Sequence, residues 1–541
     1  MASRTPITID NKGEGRSVEI GKLRLHGFTS THGVANFLNV PFATIPARFK
    51  TAKLLDPTTL NGDLDASQYG PRCPQPADPI HIIMHNMFEV QSMEQYSSEL
   101  DCLHVNIYAP ADFESGKKLP VFVYIHGGAF NCGDNTTEFD GNHLVKRSIE
   151  LGRPIVVVTI NYRLNVLGFL TSRELIAEAE SAGERAVANQ GLNDQKLALQ
   201  WIQRNIHHFG GDGHRVTLSG ESCGAASVVC QLKNTEPLFH QVIIQSTPLP
   251  RLRTLDEAQQ VFDTLVRTAG VSLSAPGPVK LAAVRSLPAA TLIDAVDLAG
   301  PSFPIEDADF FPGYNTTIDA VEYWSRVPSY CRRVIIGHTK DEGALFFVPP
   351  LDGLTSEKLT NIISCLNPDP KFTSALLDSQ LFTSATSPMR ALVAFGTRSV
   401  FQRPVMELAA AMATRDNAQQ VYVYGIDATD PFPGPLHGYS WHSFGVPIMF
   451  YQPACQKHAE LKATADRMSE IYLGFFHGEE PWEGYAVAQR KWTWKGEQSG
   501  MVTPEDLTDE ALVALQGDQE LTEAYLLKRE RLLESVLGCV C

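Results

Sequence analysis

A serine set between glycines, Gly220-Glu221-Ser222-Cys223-Gly224, is the segment of this chain best suited to covalent chemistry. A hydroxyl is a weak nucleophile near neutral pH. It needs a base within reach, and the base needs a carboxylate to orient it. Flanking glycines permit a turn tight enough to lift the hydroxyl above the end of a sheet. The segment follows Arg215-Val-Thr-Leu-Ser219, which reads as a strand, and precedes Ala225-Ala-Ser-Val-Val-Cys230, which can begin a helix. Strand, turn and helix are the context such a nucleophile requires, so Ser222 is the expected one.

On sheets of parallel strands with this elbow, the acid and the base follow the serine in the order Ser, Asp/Glu, His. Glu342 lies in Gly337-His-Thr-Lys-Asp-Glu342-Gly343, just past the strand-like run Val334–Ile336, with Asp341 beside it as a rival. His437 lies in Leu436-His437-Gly438, on the loop after Val421–Tyr424, and His442 is close by. With 16 histidines in the chain, spacing alone does not choose between them. The developing oxyanion needs donors as well, each worth about 2.7–4 kcal/mol. His126-Gly127-Gly128-Ala129-Phe130 directly follows the apolar run Leu119–Ile125, and its small residues let backbone N–H groups approach a reacting carbonyl.

These segments must be positioned by a scaffold, and the rest of the chain predicts which. Leu119–Ile125 and Pro154–Ile160 are continuous apolar runs, as in central parallel strands covered on both faces. Between residues 194 and 206 apolar residues fall at 197, 198, 201, 202 and 206, a helical stripe that Asn193 or Asp194 could cap. The first hundred residues look β-rich, with partial alternation over Val18–Leu25 and Val34–Val40. Strands alternating with helices argue an α/β fold with a large, mostly parallel sheet. The helical, proline-punctuated region 251–330 reads as an insertion, and the stretch 503–537 as helix-like. One large domain over 1–541 is the expectation.

The chain has 541 residues, 43% hydrophobic and 20% charged, so a large core is expected. Its net charge of −16, with no long Lys/Arg run, argues against nucleic acid and anionic membrane as partners. No stretch is long and apolar enough to span a bilayer. The ending Gly538-Cys539-Val-Cys541 fails the CaaX spacing, so no stable membrane anchor is expected. Residues 1–21 lack a basic stretch leading into an apolar one, which predicts a cytoplasmic protein. No metal-binding or phosphate-binding motif is present, so no cofactor and no metal is called for.

The chain resembles the type-B carboxylesterase/lipase family, the cholinesterase-like α/β-hydrolases, and most of all its fungal members. The likeness rests on Asp101-Cys-Leu-His-Val-Asn106, His126–Phe130, Asn161-Tyr-Arg-Leu-Asn-Val-Leu-Gly-Phe169, Asn189-Gln-Gly-Leu-Asn-Asp-Gln195, Phe209-Gly-Gly-Asp212 and Gly220–Gly224. It implies an α/β-hydrolase fold and hydrolysis of small-molecule carboxylic esters through an acyl-enzyme. The implied triad is Ser222, Glu342 and His437, with oxyanion donors in the backbone N–H groups of Gly128, Ala129 and Cys223. Cys223 stands where the family usually has alanine, and Tyr439-Ser-Trp-His-Ser443 where it shows an acidic residue after the histidine. The resemblance also matches Cys73–Cys102 to the family's first disulfide, a pair that would stay reduced in the cytosol. The apolar loop 74–101 is then either a lid, as in the family's lipases, or a loop packed on the core. An esterase is the leading expectation. A lipase, or a specialised lactonase or acyltransferase, is the alternative, and a non-catalytic binder would not keep these residues.

Overall fold

The computed structural model describes residues 12–76, 96–184, 188–250, 252–295, 304–315, 320–349, 351, 354–366, 370–415 and 420–504. The loop 74–101 lies mostly outside the described residues, as do nearly all of 503–537 and the cysteines at the C-terminus.

The long apolar runs form the middle of the sheet. Leu119–Ile125 and Val156–Ile160 are buried along their whole lengths, as are Gln241–Gln245 and the end of Gly211–Glu221. A strand covered on both faces has no solvent side to leave polar, so the alternation disappears. Parallel pairing runs from Val156–Ile160 through Leu119–Ile125, Gly211–Glu221, Gln241–Gln245, Arg333–Thr339 and Gln420–Ile426 to Lys491–Trp494. Antiparallel strands extend the other side: Lys12–Ile20, Lys22–Ser30, Val34–Pro41 and His104–Pro110. Helices flank this mixed sheet in the α/β manner. Among the described residues none is long and apolar enough to cross a membrane.

Two local expectations shift. The alternating run Val18–Leu25 is not one strand. It folds back at Gly21, whose φ of 63° is open to glycine at little cost, and Ile20 pairs with Leu23 across the turn. The helix expected from 194 begins at Gln190 and runs to Asn205, and neither Asn193 nor Asp194 caps it. Asp194 is instead committed to Arg163. Its carboxylate accepts from the guanidinium Nε and Nη2, both at 2.7 Å, and from the Arg163 N–H at 3.2 Å.

That ion pair is wholly buried, and Arg163 also donates to the carbonyl of Lys50 at 2.7 Å. Removing one partner strands the other charge without water. Asp194→Ala is therefore expected to cost about 3–5 kcal/mol, read as a large drop in the thermal midpoint. A drop no greater than that of an exposed Asp→Ala control would refute this.

Within 251–330 the described elements are the helices Leu255–Thr268, Gly277–Ser286, Ala289–Asp294 and Ala320–Trp324. The first carries a complete capping box, with Thr254 and Glu257 each bonding the other's backbone N–H. A separate apolar cluster, including Phe347, Ile363, Leu392, Phe395 and Phe401, fills a helical unit between residues 344 and 402. This unit sits directly after Glu342.

Candidate active site

Five neighbouring parallel strands end on the same side of the sheet, and each delivers one part of the site. Gly211–Glu221 ends at Ser222, whose φ of 58° and ψ of −126° are the strained conformation of a sharp elbow. The helix Cys223–Gln231 starts on the next residue. Strain of this kind costs about 1–3 kcal/mol and persists because the surroundings hold it. Ser222 N–H donates to Gln245 at 3.0 Å, and a Cβ on Gly224 would lie 2.2 Å from the Ile125 carbonyl oxygen. Glycine at 224 is what lets the elbow close against the neighbouring strand.

Leu119–Ile125 leads into the loop expected to hold the oxyanion. Gly128, Ala129 and Phe130 all have positive φ, at 101°, 53° and 59°. Two consecutive non-glycine residues in that region need outside support. The Gly128 carbonyl accepts from the N–H groups of Asn131 and Cys132 at 2.9 and 3.0 Å, and the Phe130 carbonyl from Asn165 at 2.7 Å. The Phe130 N–H donates to Cys223 Sγ at 3.1 Å. The Cys223 thiol thus lies beneath the loop, and burial pushes it up to about 12. A thiol so protonated and so placed is a prop for the loop rather than a nucleophile.

Arg333–Thr339 leads to Glu342, which is fully buried. Its Oε1 accepts from the Ser246 hydroxyl and from Thr339 N–H, both at 2.6 Å. Its Oε2 lies 2.5 Å from Nδ1 of His442. Burial works to raise this carboxyl, but the His442 charge and these hydrogen bonds outweigh it and hold it below its ordinary value.

The histidine that meets Glu342 is therefore His442, not His437. His437 is exposed, and its Nδ1 lies 3.1 Å from the Phe432 carbonyl. The cause is the register between two loops. Asp341 N–H donates to the Ser440 carbonyl at 2.8 Å, and the Asp341 carboxylate accepts from Ser440 N–H at 3.0 Å. With Asp341 bridged to Trp441, the next residue on each side is Glu342 and His442. Asp341, the rival acid, is thus the clasp that sets this register. The signal lay in the flanks: His437 stands among Pro433, Gly434, Pro435 and Gly438, whereas His442 is enclosed by Trp441, Phe444 and Val446.

Glu221, Ser246 and Ser443 also belong to the site and were not singled out from sequence. Nε2 of His442 faces Glu221 Oε1 at 3.1 Å, and that oxygen accepts from the Ser443 hydroxyl at 2.8 Å. The imidazole therefore lies between two carboxylates. Burial tends to lower it, but Glu221 and Glu342 prevail and raise it. Burial pushes Glu221 itself up to about 7, with His442 and Ser443 opposing and Glu342 adding. A carboxyl raised in this way from 4.5 binds its proton more tightly in the folded state. Its contribution to stability is complete below pH 4.5 and is lost as the pH rises through about 7. Glu221→Gln should remove that loss, so the thermal midpoint falls less between pH 5 and pH 8 than in the parent. Equal falls would exclude the effect.

Cys73 and Cys102 are both buried and unbonded, and their thiols adjoin. Cys73 Sγ accepts from Leu164 N–H at 3.3 Å, and contact with Cys73 together with burial raises Cys102 well above its ordinary value.

A model of the carboxylesterase family matches residues 16–500. "Lipase 5" of Diutina rugosa is 35% identical over 356 residues, which are 59% of this chain and 60% of that protein. "Secreted lipase 1" of Botryotinia fuckeliana is 31% identical over 363 residues, 61% of this chain and 60% of that one. The chain thus spans under two thirds of the length of these relatives. A solved structure titled PNB esterase superimposes with a TM-score of 0.70 at 25% identity, covering 94% of this chain and 99% of its own. Similarity to the secreted lipase of Botryotinia fuckeliana overturns the cytoplasmic expectation, which was drawn from the sequence's opening residues, sparse cysteines and C-terminal residues. With a family model matched over residues 16–500, the chain belongs to the carboxylesterase family.

Proposed function

We propose that this protein is a serine hydrolase that cleaves carboxylic esters through an acyl-enzyme, with Ser222, His442 and Glu342 as its triad. The observation that carries the reading is the bond of 2.5 Å between His442 Nδ1 and Glu342, which leaves Nε2 turned toward the elbow strand. Ser222 Oγ attacks the ester carbonyl as His442 Nε2 takes its proton. The backbone N–H groups of Gly128, Ala129 and Cys223 receive the oxyanion. Glu342 holds the imidazole in one tautomer and stabilises its charged form. Collapse of the tetrahedral species breaks the ester C–O bond, and His442 returns the proton to the leaving alcohol. Water then attacks the acyl-enzyme by the same route and frees the acid and the serine.

The secreted lipase among the relatives supports an extracellular setting, where the adjoining Cys73 and Cys102 thiols would be oxidised to a disulfide. The test of the function is hydrolysis of p-nitrophenyl esters from acetate to palmitate, alongside fluorophosphonate labelling and mass spectrometry of the labelled peptide. Turnover together with a label on Ser222 is expected. A label on another residue, or no turnover on any chain length, would defeat the reading.

A further inference from the structure

The edges of the His442 ring meet carboxylates, and two aromatic rings pack against it. Phe401 packs with its centroid 4.4 Å from that of the imidazole at 37°, and Phe346 at 5.2 Å and 42°. The two phenyl rings are themselves stacked, 5.9 Å apart and 9° from parallel. Phe401 is 2% exposed, so water does not reach this face of the histidine.

Phe401 arrives there through an irregularity. Residues Thr397–Gln402 form a π turn between the α-helices Pro388–Gly396 and Arg403–Arg415. A π turn carries more residues than an α turn and rotates the side chains that follow it, and such turns concentrate at functional sites. The same turn is fastened to the backbone beside the acid. Thr397 Oγ1 accepts from Gly343 N–H at 3.0 Å and donates to the Val393 carbonyl at 2.8 Å. A Cβ on Gly343 would lie 2.5 Å from that carbonyl oxygen, so helix and acid loop are as close as glycine permits. The aromatic face and Glu342 are thus referenced to one piece of backbone.

We infer that Phe401, with Phe346 beside it, is a positioning residue that fixes the plane of the His442 imidazole for proton transfer to and from Ser222. The inference rests on the triad proposed above. The hydrogen bond to Glu342 and contact with Glu221 fix where the two ring nitrogens lie. They leave the ring free to roll about the line joining those contacts, and a flat hydrophobic wall on one face stops that roll. Small losses of alignment are costly to proton transfer. The charged and titratable groups against the imidazole remain Glu221 and Glu342 in either variant below, so the wall is tested apart from the charges.

The experiment uses the full chain with Phe401→Leu, which keeps an apolar side chain and removes the flat face, and Phe401→Tyr, which keeps the ring. The readouts are kcat and KM on p-nitrophenyl butyrate, and the rate of Ser222 labelling by a fluorophosphonate, which needs the Ser–His pair but not this ester. Phe401→Leu is expected to lower kcat and the labelling rate together about tenfold, equal to about 1.4 kcal/mol, with KM unchanged. Phe401→Tyr should stay within about threefold of the parent. Phe346→Leu, at the more distant ring, should show a smaller loss of the same kind and serves if the Phe401 variants do not fold. An unchanged labelling rate, a rise in KM with kcat intact, or equal losses for Leu and Tyr would each overturn the inference. Failure of the triad itself shows differently, as activity that survives Ser222→Ala.

Discussion

Ser222→Ala and His442→Ala are each expected to lower kcat for ester hydrolysis about a millionfold, and the double variant is expected to lose no more than either alone. Serine and histidine act as one unit in acyl transfer, so removing either leaves the other with nothing to do. What survives comes from binding and the oxyanion donors, about 10³–10⁴ over water. His437→Ala is the internal control. Its side chain is exposed and bonded only to a loop carbonyl, so kcat should stay within about twofold of the parent. Single-turnover kinetics on p-nitrophenyl acetate would measure all four variants. Were His437→Ala inactive and His442→Ala active, the histidine assigned by geometry would be the wrong one.

Glu342→Gln is expected to lower kcat about 10⁴-fold while leaving the fold intact, the size of loss seen when a triad acid becomes an amide. The amide is nearly isosteric, so Ser246 and Thr339 can still donate to its oxygen. The position opposite His442 Nδ1 becomes an N–H₂ donor, which favours the wrong tautomer and withdraws the negative charge from the imidazolium. Asp341→Asn is the instructive neighbour. Asp341 accepts from Ser440 N–H and lies 3.6 Å from Arg390, so it acts on the loop register rather than on the proton. Its loss should be smaller and should show as scatter in His442 placement, read by slower fluorophosphonate labelling. Equal losses for the two amides would mean that Glu342 is not the orienting acid.

The sequence made some parts of this arrangement plain and hid others for identifiable reasons. Leu119–Ile125 and Val156–Ile160 declared themselves as central strands because burial on both faces leaves an unbroken apolar run. Ser222, Glu342 and the loop from His126 stood out as candidates because each lies just past a strand-like run. The start of the helix Gln190–Asn205 was hidden because its first turn, Gln190-Gly191, carries no apolar stripe and Asp194 is spent on Arg163. His442 was hidden for another reason. Its pairing with Glu342 is set by the backbone bonds between Asp341 and Ser440, and such a register leaves no periodicity in either segment. Phe401 depends on a π turn, whose extra residue is invisible to a search for the regular helical period.

The strands that carry the site lie far apart in the chain. Glu342 and His442 are separated by 100 positions, and Glu221 and Ser443, which also touch, by 222. A nascent polypeptide emerging from the ribosome therefore carries Ser222 long before His442 exists, and under the proposed triad the elbow alone would not turn over an ester. Contacts this distant in sequence also slow the search for the native pairing. A chain arrested at residue 430 should leave a fluorophosphonate unreacted, and labelling of that fragment would show that the serine is activated without His442.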